Sequence, residues 1–247
     1  MIGTQIAKIR KKHQPFKHNL RYARAVTVCI AAMCQESGQP RIVLCSDTRL
    51  DYGDLGSTNT SCKINLAGWG WCSQLAGDWS GVNYLSSLIA SNLRELPTAP
   101  SALEQIVNKA DKGCRKFIKS PLFDRDETYQ ILLSGFISKV PNLLAISIDE
   151  GKSRIAFREP FATIGSGQEI ANSMMSLREY EKSLSLQYAS YLVYEAKRCS
   201  EKMGFVGKAT AVAVQAPGEP EVKDRTALAC PGFGTSRRES LHHSSWL

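Results

Sequence analysis

The apolar segments of this chain follow one order: strand-like runs joined by tight turns, a pair of amphipathic helices, strands again, a second helix pair and a last strand. VTVCIAAMC and RIVLCSD are apolar and β-branched, and ESGQP between them is turn chemistry, so residues 27–47 predict a hairpin. SCKINLAGWGWCSQLAG predicts a second strand pair turning at 68–70. Asp78 or Ser80 then caps a helix through VNYLSSLIASNLREL, stopped by Pro97 and Pro100. A second helix starts at Ser101 and ends before Pro121, with Leu103, Ile106, Val107, Ala110, Cys114 and Phe117 on one face. TYQILLSGF, NLLAISIDE and SRIAFRE predict three consecutive strands, the last two joined by the turn 149–152. Helices follow over roughly 168–180 and 184–203, then the strand KATAVAVQ. Strands in hairpin-linked runs, without βαβ alternation, predict antiparallel sheets with helices on their outer faces, an α+β domain. No linker or repeat divides the 247 residues.

Charge and histidine placement narrow the chemistry. The formal net charge is +8, but residues 1–26 hold seven of the 31 basic residues and no acid. The remainder carries 24 bases against 23 acids and offers no basic stripe for nucleic acid. All four histidines, His13, His18, His242 and His243, lie near the two ends. A His-based triad or zinc site in the body is therefore excluded, and a hydrolase of this sequence needs another base. The eight cysteines show no CxxC spacing and several sit in apolar runs, which fits a reduced, cytoplasmic protein. No apolar run reaches the roughly 18 residues of a membrane span. The basic leader is too long for the start of a signal peptide and has no Ser, against a transit peptide.

Four residue types recur at strand ends. Asp47 ends the second strand, Lys63 follows sixteen residues later, and Ala76–Gly77 precedes a helix. A carboxylate, a lysine and a glycine N–H at a helix start can form an anion-stabilising pocket. With Thr27 opening the first strand, the set TVCIAA, SDTR, CKI, AGD and IGSG resembles the proteasome β-subunit family and its bacterial HslV peptidase relative, the N-terminal-nucleophile (Ntn) hydrolases. The resemblance runs from Thr27 to about Val214. It implies a four-layer αββα sandwich and a threonine-type peptidase without a cofactor. By the same resemblance, Thr27 is the nucleophile and its own α-amine the base. Lys63 tunes both groups, Asp47 holds Lys63, the Gly77 N–H stabilises the oxyanion, and Ser166 supports the amine. The family's aspartate near the end of its last long helix has no counterpart in KRCSEKMGFVGKA, and its role is not carried to Glu201. Cys29 is a rival nucleophile by chemistry, but a third-residue position in an apolar strand reads as core.

An amide nitrogen is not a base, so the mechanism needs residues 1–26 removed or never made. A propeptide of this type usually ends in Gly, whereas Val26 precedes Thr27. A valine GTG codon can instead act as a bacterial start, and a Met-Thr-Val beginning loses its Met. The expected organisation is a basic leader over 1–26 absent from the mature protein, the catalytic domain over 27–217 and a polar tail over 218–247. The resemblance further implies peptide or unfolded-protein substrates, a homo-oligomeric ring or stack, and an ATP-driven unfoldase as partner, which would be a separate chain because this one has no GxxxxGK[ST] motif. Competing readings are a small-molecule amidase or acylase of the same fold, a non-catalytic ring subunit, and a nucleic-acid binder acting through residues 1–26 alone.

Overall fold

Turn chemistry between β-branched runs folds the chain into two antiparallel sheets. The computed structural model describes residues 24–25, 27–51, 57–58, 61–68, 70–93, 102–204, 206–218 and 223–224. The hairpin β2 (Cys29–Glu36) and β3 (Gln39–Asp47) turns through Ser37 and Gly38, both at positive φ, 52° and 73°. It forms the centre of a five-stranded sheet ordered β11–β2–β3–β12–β13, with β11 (Phe161–Ile164), β12 (Thr210–Gln215) and β13 (Lys223–Asp224). The other sheet runs β10–β9–β8–β7–β1–β4–β5, with a further strand, β6, also pairing with β7. Its members are β1 (Arg24–Ala25), β4 (Leu50–Asp51), β5 (Ser57–Thr58), β6 (Ile64–Gly68), β7 (Trp71–Asp78), β8 (Tyr129–Ile137), β9 (Val140–Asp149) and β10 (Lys152–Arg158).

Three apolar layers hold the sandwich. The first packs α1 (Trp79–Leu93) and α2 (Ala102–Ile118) on the larger sheet, through Leu85, Ile89, Ala110 and Phe117 against Leu75, Tyr129 and Ile146. The second lies between the sheets, where Cys29, Met33, Ile42 and Leu44 meet Cys72, Leu132 and Leu143. The third packs α3 (Gln168–Leu177) and α4 (Leu186–Ser200) on β2 and β3. Each fully buried Leu, Ile or Phe contributes about 1.5–3 kcal/mol. The αββα architecture expected from the sequence is thus the observed one.

The boundaries differ in ways that local chemistry explains. Asp78, not Ser80, caps α1: its Oδ2 accepts the Gly81 N–H at 2.6 Å. The helix is seen to Leu93, and residues 94–100 lie outside the described part. α3 stops at Leu177, and Glu179 turns at φ 51°. α4 starts at Leu186 because Ser185 caps it, accepting the Tyr188 N–H at 3.3 Å. β11, only four residues long, and the two-residue strands β1, β4, β5 and β13 were not expected. Residues 1–23 of the leader and most of the tail lie outside the described residues, although Lys223–Asp224 pairs with β12. No helix among the described residues is long and apolar enough to cross a membrane.

Candidate active site

The hairpin register builds the first half of the site. Cys29 lies opposite Ser46, so Asp47, the last residue of β3, is brought beside the segment just before β2. Thr27 is wholly buried there, and its hydroxyl donates to Asp47 Oδ1. That oxygen also accepts the Val28 N–H at 3.2 Å and the Lys63 ammonium at 2.9 Å. The other oxygen, Oδ2, accepts backbone N–H groups of Arg49 at 3.3 Å and Gly207 at 3.0 Å. Five donors thus surround one carboxylate with no exposed surface. Such saturation is what a buried charge requires.

Lys63 enters just before β6 and is also fully buried. Burial lowers its pKa below the ordinary lysine value, and the Asp47 charge opposes that shift. Because the Thr27 hydroxyl and the Lys63 ammonium share one carboxylate oxygen, they lie within two hydrogen-bond lengths of each other.

The backbone of Thr27 is held from β11. Its N–H donates to Ser166 Oγ at 3.2 Å, and the Ser166 hydroxyl donates back to its carbonyl at 3.2 Å. The Gly167 N–H reaches the same carbonyl at 3.1 Å. Gly165 has φ +94°, and a Cβ there would stand 2.3 Å from that carbonyl oxygen, so only glycine fits. Gln130 of β8 fixes this turn from the other sheet, accepting the Gly165 N–H at 2.7 Å.

Gly77 stands at the end of β7. The thiol of Cys29 reaches the carbonyl of Leu75, two residues before it, at 3.6 Å. Gly77 has φ +123°, and a Cβ would lie 2.3 Å from the Thr128 carbonyl oxygen. β1 runs antiparallel beside it, with Ala25 opposite Gly77 and Arg24 opposite Asp78. Cys29 Sγ lies 3.9 Å from the Thr27 hydroxyl, but burial pushes its thiol up to about 12, leaving it neutral and unreactive.

The structure therefore brings Thr27, Asp47, Lys63 and Ser166 into one hydrogen-bonded cluster, with Gly77 on the neighbouring strand end. Glu201 lies apart, bonded to Lys197 at 2.6 Å and Arg198 at 2.8 Å. Sequence reading missed Gly207, Gln130 and the β1 pairing. Each arrives from a distant element, and no local pattern marks it. Among the described residues, no three His, Cys, Asp or Glu side chains are grouped to hold a metal ion.

The sequence matches no family model and no curated protein. Among solved structures the chain is similar to a Gly-1 mutant of Anbu from Hyphomicrobium sp. strain MC1, with a TM-score of 0.60. The two are 17% identical over 80% of this chain and 85% of that one. Anbu is an HslV- and proteasome-like protein related to the Ntn hydrolases. At this identity the likeness is one of fold, and the chain has the broad fold of that group.

Proposed function

We propose that this chain is a threonine-type Ntn hydrolase that cleaves amide bonds in peptides. The observation that carries the reading is the buried cluster in which the Thr27 hydroxyl and the Lys63 ammonium share Asp47 while the Thr27 nitrogen faces Ser166.

In a chain beginning at Thr27, Oγ attacks the carbonyl carbon and its proton passes to the α-amine, directly or through a water. A free α-amine has a pKa of about 7.7–8.0, so much of it is neutral at working pH. The Lys63 cation favours that neutral form, and Asp47 holds Lys63 in place. The Gly77 N–H receives the developing oxyanion, a contribution of about 3–4 kcal/mol for one such donor. The intermediate collapses to an ester on Thr27, and the departing nitrogen takes the proton from the α-ammonium. Water then attacks the ester, returning the Thr27 hydroxyl and releasing the acid.

β1 supports a peptide over a small acyl amide as the acyl group. An extended backbone already pairs with Gly77 and Asp78 immediately before Thr27, as a peptide added to a strand edge would. The active species accordingly starts at Thr27, with 1–26 absent, the domain over 27–217 and the tail over 218–247. Assembly into a ring or stack and feeding of unfolded chains by a separate ATP-driven motor belong to the same reading, as does a cytoplasmic setting. The non-catalytic ring subunit is favoured by one fact alone, the amide at Val26–Thr27 in the chain as written.

The test combines mass spectrometry of the native protein with turnover of peptide substrates. The expected result is Thr27 at the N-terminus, with hydrolysis abolished in Thr27→Ala while the circular dichroism spectrum is unchanged. Retention of Met1, or full activity in Thr27→Ala, overturns the reading.

A further inference from the structure

A polar groove of about 620 Å³ opens between the two sheets on the Ser166 side of the site. One wall is β8, β9 and β10, and the other is β11 and the start of α3. Its near end is Gln130, the residue that grips Gly165. From there a cross-strand row runs outward: Gln130 is opposite Ser147, and Ser147 is opposite Arg154. Arg158 follows on the same face of β10, since side chains alternate along a strand. Both arginines line the groove, and neither is ion-paired among the described residues. The lining acids are otherwise placed: Glu159 bonds Lys182 at 3.1 Å, and Glu169 sits in the first turn of α3 on the opposite wall.

Two observations give the groove a direction. In the sheet order, β1 lies on one side of β7 and β8, β9 and β10 lie on the other. The acyl half of a substrate follows β1, so the groove is on the far side. The departing nitrogen must collect its proton from the Thr27 amine, and that nitrogen faces Ser166 at 3.2 Å, directly after β11. The departing segment therefore leaves toward the β11 wall.

We infer that this groove is the leaving-side subsite, and that Arg154 and Arg158 select a carboxylate in the departing segment. The direction of the inference rests on the amide-hydrolase reading above. Two strand spacings separate Gln130 from Arg154, about 10 Å, which an extended chain covers in roughly three residues. Arg158 lies roughly 13 Å further along β10. A guanidinium matches a carboxylate with two parallel hydrogen bonds, and a partly enclosed groove strengthens the pair. The carboxylate comes from an acidic side chain or from the C-terminus of the departing segment.

Binding is measured first, on full-length Thr27→Ala protein, with four fluorescein-labelled tetrapeptides: acidic or neutral in side chain, each with a free or an amidated C-terminus. The Arg154→Gln/Arg158→Gln double variant weakens the carboxylate-bearing peptides at least tenfold and leaves the neutral amidated one unchanged. The Lys pair at the same positions restores part of the affinity. Preference between the acidic amidated and the neutral free peptide identifies the source of the carboxylate. Cleavage is measured second, on parent and double-variant protein beginning at Thr27, by sequencing products from a mixed peptide pool. The parent protein enriches acids, or short free-ended segments, after the cut bond, and the double variant loses that enrichment. Its hydrolysis of a peptidyl aminocoumarin, which has no departing segment, stays unchanged. Equal binding by parent and double variant overturns the inference, as does a solubility change alone, the mark of edge-strand protection. If neither protein cleaves anything but binding still differs, the groove assignment stands and the hydrolase reading falls. If both cleave with one profile and bind equally, the reverse holds.

Discussion

Lys63 and Asp47 form a 2.9 Å ion pair in which neither side chain has any exposed surface. Removing one partner of such a pair strands a charge, which costs about 3–5 kcal/mol. Lys63→Ala is therefore expected to destabilise the protein by that amount and to abolish turnover. A Lys63→Met/Asp47→Asn double variant recovers most of the stability and none of the activity. Urea unfolding and peptide turnover check both halves. A Lys63→Ala protein as stable as the parent would show that the four other donors hold the Asp47 charge without the lysine.

The rate should depend on pH through two groups. The neutral Thr27 amine is required, so kcat/KM rises as that amine loses its proton. Lys63 lies close and is cationic, so the rising limb falls below the free-amine value of about 7.7–8.0. The cationic form of Lys63 is also required, and burial has lowered its pKa from 10.5. Activity is consequently lost as pH rises through that lowered value, before ordinary lysines titrate. A bell-shaped profile of kcat/KM is expected, and a flat one between about pH 6 and 9 would remove the amine from the mechanism.

Alkaline stability follows from the core thiols. Burial raises Cys29, Cys34, Cys45, Cys72 and Cys114 from 9.0 to about 12. In the unfolded chain these thiols ionise first, so above about pH 9 the unfolded state binds fewer protons and stability falls as pH rises. Each thiol steepens the fall by about 1.4 kcal/mol per pH unit. Denaturant midpoints between pH 8 and 11 read it, and Cys114→Ala should flatten the slope by one proton.

Gly165→Ala tests the hold on Thr27. The added methyl would meet the Thr27 carbonyl oxygen at 2.3 Å, at a φ of +94° that side chains avoid. The expected cost is about 1–3 kcal/mol, with turnover down more than tenfold because Thr27 shifts from Asp47. Gly38→Ala is the control: φ is +73° there and nothing lies within 4 Å, so only stability should fall. Equal kinetics for the two variants would separate Gly165 from catalysis.

The strand and helix runs were legible because periodicity reports burial on one face, whereas the four-layer αββα stacking was implied by the family resemblance. The approach of Asp47 to Thr27 was also readable, since a hairpin from 29 to 47 forces its two ends together. Lys63 was not derivable in that way. A stretch containing two short strands separates it from β3, so chain order marked it only as a candidate cation and the resemblance alone suggested its role beside Thr27. Its complete burial ran against the expectation for a lysine, and the reason is tertiary: Gly207 and Arg49 close over Asp47 with backbone N–H groups that carry no side-chain signature. Gln130 was equally silent, because one glutamine in an apolar strand becomes informative only when β11 arrives across from it.

The two residues of β1 bear on how any preparation behaves. A segment tethered next to Thr27 acts at an effective concentration on the order of millimolar, and it sits on Gly77 and Asp78. A diffusing peptide must outcompete that tether to enter. Protein purified with its first 26 residues attached would thus be inert for two separable reasons, a Thr27 nitrogen held as an amide and a strand edge already filled, and trimming the leader removes both at one cut.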